Sequence, residues 1–152
     1  MAAIPKAFAA DSTKVCTLQH DYTSCKVMND MLNQYVRQAE DERIWMSIDS
    51  SGFYKCQLKE SFCKIMELAI IQAFNSCRKA VLSRDRYIKI SSMEQHHKIF
   101  VKIRYSCEEE ERDEVLKCST KISDHLKREE GYFKVQDEET EQIIMIALPL
   151  VG

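Results

Sequence analysis

The side chains that most often do chemistry are present in this sequence, but not at the spacings that chemistry needs. Seven cysteines are scattered at positions 16, 25, 56, 63, 77, 107 and 118. None forms a CxxC pair, and no Cys/His cluster has zinc-ligand spacing, so a structural metal site is not expected. An odd number of scattered cysteines reads as free thiols in a reducing cytoplasm. Cys63 and Cys77 fall on an apolar helix face, where reduced cysteine packs as a small hydrophobe. His96-His97 sits in a polar turn and His125 on a helix. Neither has a nucleophile or carboxylate partner nearby in sequence, so exposed, untasked imidazoles are expected. The acidic run at 108–111 reads as the solvated start of a helix, because no second ligand set converges on it.

The elements that would position any site are built around residues 58–107. Phe62, Met66, Ala69, Ile70, Ala73, Phe74, Cys77 and Ala80 recur at spacings of three and four, without Gly or Pro. That pattern predicts one amphipathic helix over 60–83, about 35 Å long. Two alternating segments follow, 87–90 and 98–104, joined by the polar stretch 93–97 as a hairpin. Upstream, Met28, Met31, Leu32, Tyr35, Val36 and Ala39 predict a helix over 24–40, capped by Thr23 or Ser24. A strand at 44–49 ends at Ser50-Ser51-Gly52, and an extended connector covers 53–58. Downstream, a helix over 110–128 carries Val115, Cys118 (or Ser119), Ile122 and Leu126, with Gly131 as its stop. Strands at 132–135 and 142–150 close the chain, with Pro149 near the end of the last.

The resulting order is α-β-α-β-β-α-β-β. It predicts an α+β, two-layer sandwich: one mixed five-stranded sheet with three helices on a single face. Residues 1–22 are expected as a flexible lead-in and 23–152 as one domain. At 152 residues a single domain can bury a real core. A net charge of −2 gives no global reason to expect nucleic acid or an anionic membrane as partner. No apolar run reaches the roughly 20 residues a membrane helix needs, so no direct membrane insertion is expected. The first residues lack a basic n-region and are not read as a signal peptide.

Several stretches resemble a known family. Residues 29–34 (NDMLNQ) with Ala39 and Ile44, residues 65–77 (IMELAIIQAFNSC), residues 86–90 (RYIKI), residues 101–107 (VKIRYSC) and the closing hairpin 131–150 are similar to the Bergerat-fold ATPase module of gyrase, heat-shock chaperone, mismatch-repair and histidine kinase proteins. The nearer resemblance is to the catalytic domain of peptide-sensing, quorum-type histidine kinases of Gram-positive bacteria. It covers most of 23–152. It implies a cytoplasmic two-component signalling domain, with a sensor kinase or response regulator as protein partner and a possible homodimer. Where the ancestral site survives, it implies ATP and Mg²⁺ as cofactors.

The resemblance also assigns the site. The family's N-box asparagine, which helps hold Mg²⁺ against the nucleotide phosphates, corresponds to Gln72. The acidic residue often found three positions later corresponds to Asn75, and Lys79 follows on the same helix. The position that reads the adenine amino group corresponds to Tyr105, before Ser106. Gln72, Asn75, Lys79, Tyr105 and Ser106 are therefore the candidate cofactor-binding residues, and Gln72 the candidate metal ligand. Each also has a plain reading: an exposed polar residue on an amphipathic helix for the first three, a hydrophobic strand-end residue for Tyr105. His20-Asp21 echoes a phosphoacceptor box, yet the catalytic-domain helix follows too soon for the usual helical hairpin.

The departures are as informative. Glutamine displaces the amide by a methylene, and Mg²⁺ demands near-ideal octahedral geometry at about 2.0–2.1 Å. The family's Gly-rich lid lets backbone N–H groups approach phosphates. Here the only glycines are Gly52, Gly131 and Gly152, and acidic residues 108–111 stand where the lid would begin. The expectation is a histidine-kinase-like ATPase-fold domain with an eroded nucleotide site, acting as a protein-interaction or regulatory module. The alternatives are a working ATP-binding catalytic domain of a sensor histidine kinase, and a small α+β binding module with no ancestral nucleotide pocket.

Overall fold

The computed structural model describes residues 20–52, 60–80, 85–107, 121–127, 130–138 and 140–150. The elements are α1 (Lys26–Asp41), β1 (Trp45–Asp49), α2 (Glu60–Lys79), β2 (Tyr87–Gln95), β3 (Lys98–Ser106), α3 (121–127), β4 (Tyr132–Asp137) and β5 (Glu141–Pro149). They form one five-stranded sheet in the order β1-β2-β3-β5-β4. β1 runs parallel to β2, and the other pairs are antiparallel. The expected mixed sheet with three helices is what the chain adopts.

One core joins the layers. Met28 and Leu32 of α1, Met66, Ala69 and Ala73 of α2, and Ile122 and Leu126 of α3 are buried together with Ile88, Ile90, Ile103 and Ile144 of the sheet. Strand registers decide which residues enter it. Ile88 pairs with Tyr105 and Ile90 with Ile103, so even positions of β2 and odd positions of β3 face the helices. β5 continues this row, Ile144 opposite Ile103 and Ile146 opposite Val101.

Element ends differ from the sequence-based expectations, for identifiable reasons. The long helix stops at Lys79 rather than at 83; Ala80 is no longer helical, and 81–83 lie outside the described residues. β2 runs on to Gln95 and leaves only His96-His97 for the turn. Both histidines have positive φ (53° and 61°), as a two-residue type I′ hairpin requires. The N-cap of α1 is Cys25, with no side-chain cap. Thr23 instead accepts a hydrogen bond from the Cys25 N–H (2.9 Å) and donates to Asn29 Oδ1 (3.1 Å). The connector at 53–58, the acidic run at 108–111, and Val115, Cys118 and Ser119 all fall outside the described residues.

Both Gly131 and the end of α1 show how these helices stop. After α1, Arg43 takes φ 58°, and Ile44 N–H reaches Ala39 O at 2.8 Å. After α3, Glu130 takes φ 54°, and Gly131 N–H reaches Leu126 O at 2.9 Å. Each is a left-handed residue followed by a bond spanning five residues, the Schellman pattern. The left-handed residue is Glu130, and Gly131, the expected stop, follows it. Gly131 is needed for space: a Cβ there would meet Leu126 Cδ2 at 2.4 Å and Leu148 Cδ2 at 2.8 Å.

Candidate functional site

The candidate residues are positioned by α2 and the end of β3. Helical spacing puts Gln72, Asn75 and Lys79 (i, i+3, i+7) on one flank of α2. The other flank faces α1. There Tyr35 OH donates to Glu67 (3.1 Å), the Tyr35 and Phe74 rings sit 5.6 Å apart, and Arg78 pairs with Glu42. Gln72 is not the exposed helix residue of its plain reading: packing against the sheet side leaves it only 4% exposed, and its Nε2 has no hydrogen-bond partner among the described residues. Asn75 is half-buried, and its Oδ1 accepts from Arg78 Nη1 at 3.1 Å. Lys79 is exposed.

Ser106 joins this region through the last turn of α2. Ser76 Oγ donates to Ser106 O (3.2 Å), and Cys77 Sγ lies 3.3 Å from Ser106 Oγ. Tyr87 N–H also donates to Ser106 Oγ, so this hydroxyl ties α2 to both central strands. Tyr105 is elsewhere: it points from the helix-facing side of β3 into the core and is 0% exposed. Its OH donates to Gln142 Oε1 (3.0 Å), and Gln142 Nε2 donates to Asp137 Oδ1 (2.5 Å). Gln142 and Asp137 face each other across β5 and β4, and neither was singled out by sequence reasoning. Their signal is positional, since even residues of β5 face inward and a glutamine there must find a partner.

Electrostatics near the candidates favour neutral side chains. Burial pushes the Cys77 thiol above its ordinary value, against smaller lowering from its bonds to Ser106. Burial, then the neighbouring Cys25, pushes Cys63 up to about 12. The four described cysteines, Cys25, Cys63, Cys77 and Cys107, are free thiols. Burial of Cys63 and Cys77 thus favours the thiol over the nucleophilic thiolate. Among the described residues, no group of three His, Cys, Asp or Glu side chains converges to hold a metal ion.

His20 and Asp21 belong to a different arrangement that sequence reasoning missed. Asn33 Oδ1 accepts from His20 N–H (3.1 Å), and Asn33 Nδ2 donates to His20 O (2.8 Å). Asn29 does the same for Thr23, at 2.8 Å and 3.0 Å. Residues 20–23 are thus stapled to α1 by two buried asparagines one helical turn apart.

The five-stranded sheet order with its helical layer is the fold of histidine kinase catalytic domains. The catalytic domain of histidine kinase ThkA, in a nucleotide-free form, is similar with a TM-score of 0.64 at 10% identity, over 82% of this chain and 90% of that one. The Acinetobacter baumannii histidine kinase AdeS matches with a TM-score of 0.58 at 12% identity, over 83% of this chain and 64% of that one. The Erythrobacter litoralis blue-light-activated histidine kinase EL346 matches with 0.59 at 11% identity, over 81% and 46%. No family model matches the sequence, and no curated protein is similar to it in sequence.

Proposed function

We propose that this chain is a histidine-kinase-like ATPase-fold signalling domain whose nucleotide site is eroded, and that it works by binding other proteins. The kinase-like part of this reading rests on the shared fold. The eroded part is carried by Gln72. A residue standing where a metal-binding amide belongs is buried, with its Nε2 unpartnered among the described residues. Mg²⁺ needs an oxygen presented to an open, hydrated position. The neighbouring Asn75 amide oxygen already accepts from Arg78. The ring of Tyr105 is absorbed by the core, and its hydroxyl is committed to Gln142. These residues do not fit Mg-ATP as the resemblance would place it.

The glycines support the same reading. Gly52 and Gly131 are consumed by close packing, not held ready to approach a phosphate. A Cβ at Gly52 would lie 2.5 Å from Met93 N, and one at Gly131 would strike Leu126. The resemblance assigns the lid between Cys107 and Glu130, and 108–120 and 128–129 of that stretch lie outside the described residues. The partner class this reading implies is a sensor kinase or response regulator of a bacterial two-component system, in the cytoplasm.

Calorimetric titration of the folded chain with Mg-ATP and with ADP tests the erosion. The expected outcome is no saturable heat up to millimolar nucleotide, a free energy weaker than about −4 kcal/mol. Micromolar binding that is abolished by Gln72→Ala would overturn this reading in favour of a working kinase domain.

A further inference from the structure

The helices cover one face of the sheet, and among the described residues none packs on the other. The registers specify what that open face carries. Met93, Phe100, Ala147 and Tyr132 stand side by side across four strands, forming one apolar row. At about 4.8 Å per strand the row is roughly 14 Å long, close to three turns of a helix laid across it. Its ends are open: Met93 is 53% and Tyr132 56% exposed, two of the most exposed large apolar side chains described. The next row on one side holds Lys102 and Lys134, which flank Met145. The next row on the other side holds Lys98. All three lysines are exposed.

Charge on this face is one-sided. Lys89 and Arg104 add to the three lysines, and the only carboxylates among its described residues are Asp49 and Glu141. Glu141 is already engaged. It accepts from Tyr87 OH at 2.5 Å and lies 3.6 Å from Arg104 Nε. Asp49 accepts from the Ser51 N–H at the sheet edge. The face is thus basic on a chain whose net charge is −2.

We infer that the open face of the sheet docks an acidic, amphipathic helical segment of a partner protein, with its apolar stripe along Met93–Phe100–Tyr132 and its carboxylates on Lys98, Lys102 and Lys134. Charge complementarity selects the sign of the partner, and the bracketed apolar row selects its shape. Single-stranded nucleic acid would also meet lysines and aromatic rings, but it needs free ring faces. Here Lys89 Nζ lies over both Trp45 (5.6 Å) and Tyr87 (5.2 Å). Two of the four rings that the described residues place on this face are therefore occupied by a cation. The docking face does not depend on whether the nucleotide site works, so the titration described above and the following experiment fail separately.

A library of displayed random peptides about 16 residues long, enough for four helical turns, is selected on the full chain and counter-selected on Lys102→Glu/Lys134→Glu. Enriched peptides are then measured by fluorescence anisotropy. The expected result is Asp/Glu beside Leu or Phe at helical spacing, with binding weakened at least about 10-fold by the charge reversals and by high salt. Tyr132→Ser is expected to weaken the same peptides by about 5-fold or more, because it removes an exposed apolar anchor. Circular dichroism confirms that each variant is folded. No enrichment over the counter-selected variant, or enriched peptides without acidic residues, would overturn the inference. So would an oligothymidylate, or self-association seen by sedimentation, that depends on the same lysines while the peptides do not bind.

Discussion

Gln72 is the residue at which the two functional readings separate most sharply. The buried Gln72 Nε2, without a partner among the described residues, carries a desolvation cost and returns no hydrogen bond. If the site is eroded, Gln72→Leu leaves stability unchanged or raises it by up to about 1 kcal/mol, since an apolar side chain of similar volume removes that cost. Urea unfolding checks this, and a loss of more than about 1 kcal/mol would mean that the amide has a partner or a role. In the rival reading the same substitution removes nucleotide binding. Tyr105 shows the opposite case. The resemblance assigned it to an adenine position, but its register on β3, opposite Ile88, turns it into the core. Whether such a side chain meets ligand or protein depends on which way its strand faces.

At the level of elements, the helices are fixed by caps and by contacts at their ends. The ends of α1 and α2 are joined by a two-pronged pair: Arg78 Nε to Glu42 Oε1 at 2.6 Å, and Arg78 Nη2 to Glu42 Oε2 at 2.8 Å. The bond from Arg78 holds the Glu42 carboxyl below the usual range, against opposing burial. A depressed folded-state pKa contributes stability above the unfolded value and loses it as pH falls through the folded one. Arg78→Ala is therefore expected to cost about 0.5–1 kcal/mol near neutrality, a figure kept low by solvent screening. The difference should shrink as pH drops below the ordinary carboxylate range, which urea unfolding across pH would show. The turn after β1 is tighter. Gly52 N–H donates to Ser92 Oγ, and Ser92 Oγ donates to Asp49 O, pressing Gly52 onto the backbone of β2. Gly52→Ala meets Met93 N at 2.5 Å, whereas Gly131→Ala first meets a movable leucine methyl. Gly52→Ala should cost about 1–3 kcal/mol and more than Gly131→Ala, as thermal melts of both would show.

For the whole molecule, the sheet divides the chain into two chemically distinct faces. One is sealed by three helices around an apolar core. The other presents an apolar row between lysines. A domain with these two faces and an eroded nucleotide site would act through what it touches, and the peptide selection and the nucleotide titration examine the two halves of that statement independently. No described helix is long and apolar enough to cross a membrane.

Much of the fold was legible in the sequence, because helix and strand periods are local. Apolar spacing of three and four placed α1 and α2, alternation placed β2 and β3, and the order of the elements implied a mixed sheet under one helical layer. Capping was less legible. Thr23 was drawn into a network with Asn29, and the left-handed residues turned out to be Arg43 and Glu130, because surrounding hydrogen bonds outweigh single-residue preference. The spacing of Gln72, Asn75 and Lys79 along α2 puts them on one flank, since helical phase alone decides that. Only the tertiary structure decided that Gln72 lies buried with no partner for its Nε2 among the described residues, that Tyr105 joins Gln142 and Asp137, and that Met93, Phe100 and Tyr132 line up between lysines. Each of these depends on register between strands or on packing between layers. Residues far apart in sequence set them, and no local pattern records them.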